Sequence, residues 1–309
     1  MSKAITQIVQ PDLFTPPSLK GATSFRDDLD IMSYPLLTVE KMRREPMLFG
    51  EEGKLDAPFI RVTGADFGIA NRWDGEHLIG FRTQIVNAVQ RGYPPGRRIL
   101  LTPHDHLSSM NKDTSKRGYD RLAESLQRLK ATTITTNLTS SDGYQLREGV
   151  SWIDSYRFVT KETARGQMRG GLEVVLSEWT YAMMMDPKRS LSFGLEYFAI
   201  TGGIEKALFG IFRRHLGTQA GAWPIGIDKL QRRVGSTSEP RKFLEALRRI
   251  EREGSLPNYS MEITKHMPSD AMIGSRSLPS NPAFASRMVQ PSEPITQPGR
   301  TLLVVVRRK

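Results

Sequence analysis

Two stretches of the chain, residues 102–131 and 225–252, share one pattern of apolar and polar positions. Each contains three apolar residues spaced four and then three positions apart, and this spacing places them on one face of an α-helix. These residues are Leu122, Leu126 and Leu129 in the first stretch and Phe243, Leu247 and Ile250 in the second. The pattern therefore predicts two similar amphipathic helices in distant parts of the chain.

A short apolar segment and a polar break precede each predicted helix. Leu107 and the break Asn111–Thr114 come before the first helix, and Leu230 and the break Gly235–Ser238 come before the second. Two helices joined by a short turn form the helix-turn-helix plan, in which the second helix reads DNA. The polar face of each second helix is basic, with Lys116, Arg117, Arg121 and Arg128 in the first copy and Arg241, Lys242, Arg248 and Arg249 in the second. The duplication predicts a tandem DNA reader.

Residues with high strand propensity follow each predicted helix pair. Thr132–Leu138, Trp152–Thr160 and Leu172–Leu176 follow the first pair, and Asn258–Lys265 follows the second. A helix-turn-helix followed by a small antiparallel sheet is a winged helix. The sequence therefore predicts an α+β fold with two tandem winged-helix domains, the first of which has an enlarged wing.

Changes in composition give the expected domain boundaries. The first domain is predicted at residues 31–185 and the second at residues 190–265. Residues 1–30 contain three prolines among scattered polar residues, and proline, serine, asparagine and glutamine dominate after residue 266. Such segments bury too little apolar surface to fold, so residues 1–30 and 266–309 are predicted to be disordered tails.

The charge balance indicates the kind of partner. The 309 residues carry a formal net charge of +11, which favours polyanions such as nucleic acid or acidic membrane surfaces. The chain has no cysteine, which excludes disulfides and thiolate metal sites and fits a reducing cytoplasm. No apolar run approaches the roughly 18 residues of a membrane helix, and no secretion signal begins the sequence. We therefore expect a soluble cytoplasmic protein.

Several short motifs, taken in their order and spacing, resemble the replication initiator protein A family of bacterial plasmids over about residues 30–265. They are Gly68-Ile69-Ala70, Trp73-Asp74, Gln84-Ile85-Val86, Arg117–Leu129, Thr132–Asn137, Ile153–Arg157, Arg213–Gly217 and Gly235–Ser238. The chain departs from the family pattern at Tyr156, where tryptophan is expected, and at Leu216, where cysteine is expected. Both exchanges keep an apolar residue.

The resemblance implies a bacterial protein that binds repeated double-stranded sites at a plasmid origin, opens nearby duplex and recruits host replication proteins, including the replicative helicase. It implies binding rather than catalysis, with no cofactor or metal and with pairing into a homodimer as an open alternative. No phosphate-binding loop of the Gly-x-x-x-x-Gly-Lys-Ser/Thr type occurs. A winged-helix transcriptional regulator that binds one palindromic operator remains the alternative function.

The residues expected at DNA lie in the breaks, at the starts of the second helices and in the basic segments beside them, because the N-terminal end of a recognition helix enters the major groove. The second helix is the stronger candidate, since Asp120 and Glu124 accompany the first helix, which therefore contacts mainly phosphate or pairs subunits. The predicted contacts are Thr114, Ser115, Lys116, Arg117, Arg121, Arg128, Arg213, Arg214, Arg232, Arg233, Ser236, Thr237, Ser238, Arg241, Lys242 and Arg248.

A second motif, Gln10-Pro11-Asp12-Leu13-Phe14, resembles the short peptide by which bacterial proteins dock on the DNA polymerase sliding clamp. Leu13 and Phe14 would enter an apolar pocket of the clamp, and Gln10 would fix the register by hydrogen bonding, beside the acid Asp12. The alternative is that Leu13 and Phe14 fold back on the body of the protein.

A third motif, His104-Asp105-His106, partly resembles the metal site of rolling-circle nickases, in which two histidines flank a hydrophobic residue and a tyrosine is the nucleophile. On a helix, residues two apart point in different directions. The middle residue is acidic rather than apolar, and Tyr119 falls on the apolar stripe. We therefore expect surface or helix-capping histidines here.

Overall fold

The structure is a computed structural model that describes Leu19 and residues 22–51, 59–93, 96–137, 148–163, 166–185, 190–217, 221–267 and 302–309. The helices are α1 (Leu29–Ser33), α2 (Arg72–Gln90), α3 (Pro103–Ser109), α4 (Lys116–Ala131), α5 (Glu178–Met185), α6 (Gly203–Leu216), α7 (Ile227–Val234) and α8 (Pro240–Glu253). The strands are β1 (Phe25–Asp28), β2 (Met47–Phe49), β3 (Ile60–Thr63), β4 (Arg98–Leu101), β5 (Thr133–Thr136), β6 (Glu148–Val150), β7 (Ile153–Thr163), β8 (Gly166–Leu176), β9 (Ser190–Phe193), β10 (Trp223–Gly226), β11 (Tyr259–Thr264) and β12 (Leu303–Arg308).

One topology occurs twice in the chain. Residues 72–176, the first repeat, run helix α2, strand β4, helices α3 and α4, and strands β7 and β8, and the sheet order is β4-β8-β7. Residues 203–308, the second repeat, run helix α6, strand β10, helices α7 and α8, and strands β11 and β12, and the sheet order is β10-β12-β11. In both sheets the last strand of the repeat lies in the middle and pairs antiparallel with its two neighbours.

The apolar faces predicted for the two amphipathic helices are buried. Leu122, Leu126 and Leu129 belong to the core of the first repeat, and each is fully buried. Phe243, Leu247 and Ile250 belong to a second core, together with Leu208 and Phe212 of α6. The helical register inferred from the sequence is therefore the observed one.

The first repeat also contains two strands between α4 and β7, and these strands, β5 and β6, join β2 and β3, which precede the repeat, in a four-stranded sheet. Its order is β2-β3-β5-β6, and all of its neighbours pair antiparallel. Ile60, Val62 and Ile134 of this sheet pack into the first core. Of the three β-rich segments that predict an enlarged wing, the first contributes β5 to this sheet, whereas the other two lie in β7 and β8 of the three-stranded sheet.

The prediction that residues 1–30 form a disordered tail is wrong for residues 22–30. Phe25–Asp28 form β1, which pairs antiparallel with β9, and Phe25 is fully buried. Asp28 then caps α1 by accepting the N–H of Asp30 at 2.7 Å. The physical reason is that β1 and α1 fill the space between the two repeats, where Phe25 and Met32 join the core of the second.

The prediction that residues 266–309 form a disordered tail is wrong for residues 303–308. These residues form β12, the middle strand of the second sheet. Val304 and Val306 enter the second core, and Leu303 and Val305 pack with Ala222 on the opposite side. A run of four buried apolar residues is what a strand covered on both faces requires.

Among the helices that the structure describes, none combines the length and the apolar character needed to cross a membrane.

Candidate nucleic-acid interface

Helix α4 presents a basic N-terminal end to solvent. The carboxylate of Asp113 accepts hydrogen bonds from the N–H and the hydroxyl of Ser115, both at 2.8 Å, and these bonds hold the turn before the helix. They also lower the pKa of Asp113, with a smaller contribution from Arg121 and Arg117. A side chain at Gly118 would collide with the carbonyl of Asp113, so glycine permits this close turn. Lys116, Arg117 and Arg121 are exposed and form no salt bridge with any described residue.

Helix α8 begins in a similar way after a tighter turn. Gly235 has φ +76°, a conformation that favours glycine, and a Cβ at this position would lie 2.6 Å from the Cβ of Pro35. Arg241 pairs with Glu245 at 3.3 Å and Lys242 pairs with Glu239 at 3.8 Å. All four side chains are largely exposed, so these ion pairs are weak and a phosphate competes with them readily. Arg232 and Arg248 are also exposed.

In the turn before α8, the serine hydroxyl groups mainly form hydrogen bonds within the turn itself. The hydroxyls of Ser236 and Ser238 lie 2.8 Å apart, and Gln231 donates to the carbonyl of Ser238 at 2.6 Å. Thr237 donates to the carboxylate of Glu40 at 3.0 Å. Of the hydroxyl residues predicted to contact DNA in this turn, Thr237 is exposed, whereas Ser236 and Ser238 are half-buried. Thr114, in the turn before α4, is also half-buried.

Four arginines predicted to contact DNA are engaged inside the protein, which corrects their assignment. Arg128 donates two hydrogen bonds to Asp74, both at 2.8 Å. Arg213 donates to the carbonyl of Ser192 at 2.7 and 3.0 Å. The other two are Arg214, which donates to the carbonyl of Leu29 at 2.9 Å, and Arg233, which lies 2.5 Å from the ring Nε2 of His215. Their guanidinium groups are bound by acceptors within the protein, so we assign them to the fold rather than to DNA.

Two ion pairs, which sequence reasoning missed, occupy equivalent positions in the repeats. Arg128 lies six residues after Leu122, and Arg249 lies six residues after Phe243. Arg128 binds Asp74, and Arg249 binds Glu205 at 3.0 Å. Each acid is the third residue of the first helix of its repeat. The only sequence signal was an acid in the first turn of a helix, where it also interacts favourably with the helix dipole.

A buried carboxylate, that of Glu76, connects the two repeats. One oxygen of Glu76 accepts from the ammonium of Lys206 in α6 at 2.5 Å, and the other accepts from Lys112 in the turn before α4. Lys206 and Glu76 are almost fully buried, whereas Lys112 is partly exposed. Lys206 also donates to the carbonyl of Tyr197 at 3.2 Å. Burial lowers the pKa of Lys206, and Glu76 opposes this change.

The two histidines of the His104-Asp105-His106 motif lie in different environments. His104 is exposed, but His106 is buried and stacks on Phe81, with its Nε2 3.0 Å from Nδ1 of His77. Burial lowers the pKa of His106 to about 3, so the ring is neutral at physiological pH. The expectation of surface or capping histidines is therefore wrong for His106, and the neighbouring His77 is distant in sequence. Within the described ranges, no group of three or more acidic or histidine side chains is placed to hold a metal ion.

The proposed clamp motif, Gln10–Phe14, lies outside the described residues.

Comparison with known proteins places the chain in a family. The replication initiator protein A family matches residues 26–261. A protein of Wigglesworthia glossinidia brevipalpis named "Putative replication protein" is 29% identical over 241 residues, which cover 77% of this chain and 85% of that protein. Two crystal structures of domains 2 and 3 of RctB resemble the fold, with TM-scores of 0.58 and 0.53 at 14% and 13% identity. They cover 91% of this chain and, respectively, 98% and 96% of theirs. Because the family match spans well over half of the chain, this protein belongs to the replication initiator protein A family.

Proposed function

We propose that both repeats are winged-helix domains and that the protein starts plasmid replication by binding repeated double-stranded sites at the origin. The observation that carries this proposal is the duplicated topology, in which each copy presents an exposed basic helix after a tight turn. In a member of a replication initiator family, two such helices favour recognition of DNA in two places at once.

The N-terminal ends of α4 and α8 enter the major groove in this proposal. Arg241 is the candidate for base reading, because a guanidinium binds the two acceptors of guanine together. Lys116 is the candidate for phosphate binding, which positions the protein without reading sequence. The remaining proposed contacts are Thr114, Ser115, Arg117, Arg121, Arg232, Ser236, Thr237, Ser238, Lys242 and Arg248.

Several copies assemble on the repeated sites, strain an adjacent AT-rich duplex, and pass it to the host helicase. The protein acts by binding rather than by catalysis, in the bacterial cytoplasm. Pairing of two copies through the first repeat is compatible with this scheme, because the acidic residues Asp120 and Glu124 reduce the positive charge of α4.

A footprint of the purified full chain on DNA flanking its own gene tests this function. Several evenly spaced protected sites, with strand opening beside them, are expected. A single protected palindrome without opening would instead identify a transcriptional regulator. Nicking of supercoiled DNA in the presence of Mg²⁺ would contradict the binding-only mechanism.

A salt titration tests the electrostatic footprint. If the two helices neutralise about 6–10 phosphates, affinity should fall by about 10³–10⁵ between roughly 50 and 200 mM salt. A nearly flat titration would refute contact through these basic faces.

We also propose that Gln10–Phe14 binds the DNA polymerase sliding clamp. A peptide of residues 5–20 should bind purified clamp with a dissociation constant of about micromolar, because a peptide loses chain entropy on binding. Replacing Leu13 and Phe14 together with alanine should abolish clamp binding and reduce plasmid maintenance, but leave origin binding intact. A doubly substituted protein that maintains the plasmid normally would refute this role.

A further inference from the structure

Three ion pairs connect the two proposed DNA-reading helices through the first helices of the repeats. Arg128 joins α4 to Asp74 in α2, and Arg249 joins α8 to Glu205 in α6. Between them, Glu76 of α2 binds Lys206 of α6. The chain of contacts therefore runs from α4 to α2, α6 and α8, and Glu76 forms the link that crosses from one repeat to the other.

We infer that Glu76 sets the relative placement of the two DNA-reading helices, and so determines which spacing between two half-sites the protein accepts. This inference rests on the proposed function. It makes Glu76 a positioning residue, because its side chain is buried and does not reach DNA.

The two oxygens of Glu76 serve different repeats. One binds Lys206 in the second repeat, and the other binds Lys112, which lies in the turn that precedes α4. A change in the placement of α6 relative to α2 would separate the carboxylate from Lys206, whose side chain is fully buried. An unpaired buried ammonium is costly, so the ion pair restricts the repeats to a narrow range of placements.

The start of α6 also packs closely against the segments beside it. A side chain at Gly203, the first residue of α6, would lie 2.0 Å from the carbonyl oxygen of Val39 and 3.0 Å from the ring of Trp73 in α2. Glycine therefore lets the start of α6 approach the first repeat. The contact at Glu76 is consequently a direct one between the N-terminal parts of two helices.

A fixed placement has a measurable consequence on DNA. Half-sites that two recognition helices read on one face of the duplex lie one helical turn of about 10.5 bp, or a multiple of it, apart. Adding about 5 bp turns the second site to the opposite face of the duplex. A protein with rigidly placed helices then loses one of its two contacts, whereas a protein with loosely joined repeats recovers part of the binding.

The test uses duplexes that the full wild-type chain selects from a random-sequence pool, with the distance between the two protected half-sites then lengthened one base pair at a time. For the wild type, affinity should fall by about a hundredfold when about half a turn is added, because the second contact no longer acts in the same complex. For Glu76→Gln, the fall should be about tenfold or less. Affinity for a single half-site should be unchanged.

Two further variants separate positioning from loss of structure. The double variant Glu76→Met with Lys206→Met removes the buried charges while it retains apolar volume, and it should broaden the spacing profile while the protein remains folded in thermal unfolding. Glu205→Gln breaks the ion pair within the second repeat. Because this pair does not cross between the repeats, Glu205→Gln should leave the dependence of affinity on spacing unchanged.

Equal spacing profiles for the wild type and the folded Glu76 variants would overturn the inference, as would an equal broadening by Glu205→Gln. Failure of the proposed function would look different, because the wild-type chain would then select no duplex from the pool.

Discussion

The two repeats share one topology but differ in how tightly the proposed DNA-reading helix is held. In the first repeat, Arg128 is only 14% exposed and makes two bonds to Asp74, which is 1% exposed. In the second, Arg249 is 52% exposed and makes one bond to Glu205. The same ion pair at the same position is therefore part of the core in one copy and close to the surface in the other. The two repeats therefore share the position of this ion pair, but only in the first repeat is the pair largely withdrawn from solvent.

The largest expected loss of stability comes from substitutions in the cores of the two repeats. Leu247→Ala removes a fully buried side chain from the second repeat and should reduce the free energy of unfolding by about 2–5 kcal/mol. Leu126→Ala, at the equivalent position of the first repeat, should have an effect in the same range. Chemical denaturation measures both.

Arg248→Ala is the matched control, because Arg248 is exposed next to Leu247. It should change the free energy of unfolding by less than about 0.5 kcal/mol. Equal destabilisation by Leu247→Ala and Arg248→Ala would contradict the helical register of α8.

The second prediction tests the difference in the ion pairs. Arg128→Ala leaves the buried carboxylate of Asp74 without its positively charged partner and should cost about 3 kcal/mol of stability. Arg249→Ala should cost about 1 kcal/mol or less, because that pair lies close to solvent. Thermal or chemical unfolding of the two variants measures both losses of stability. An equal loss would contradict the prediction that the less exposed ion pair contributes more to stability.

The third prediction compares the two helices on DNA. Arg241→Ala should lose about 1–3 kcal/mol of binding free energy and relax sequence preference at one or two positions, if Arg241 reads a base. Lys116→Ala should weaken binding to all sequences alike, since phosphate contacts carry no sequence information. Binding to a panel of single-base variants of the selected site measures both effects. Unchanged affinity and preference in Arg241→Ala would remove α8 from the base-reading role.

The last prediction concerns β1, which precedes both repeats in the chain and fills the space between them. Burial raises the pKa of Asp27 in β1 to about 7, above its ordinary value of 3.8. The folded protein therefore holds a proton that the unfolded chain releases as the pH rises from about 4 to about 7, and this group stabilises the fold less at higher pH. Asp27→Asn should thus be more stable relative to the wild type at pH 8 than at pH 4.5. A stability difference that is the same at both pH values would contradict this titration.

The sequence was sufficient for features that depend on local periodicity. The spacing of Leu122, Leu126 and Leu129 depends only on neighbouring turns of one helix, so α4 and its buried face could be predicted. The partner of Arg128 could not, because Asp74 is 54 residues away and a paired arginine has the same helical position as an exposed one. The strand β12 was missed for a similar reason: its partners β10 and β11 precede it by long stretches of chain.

The central place of β12 has a consequence for the order in which the chain is made. During synthesis, α8 is complete well before Leu303–Arg308 emerge, yet these residues lie between β10 and β11. Until they arrive, β10 and β11 have no common neighbour, and both expose unpaired backbone edges. Because domains fold as units, a nascent chain that already contains both basic helices cannot yet complete the second repeat. Ribosomal products that stop short of residue 303 are therefore expected to carry the sequence for DNA reading without a finished domain to present it.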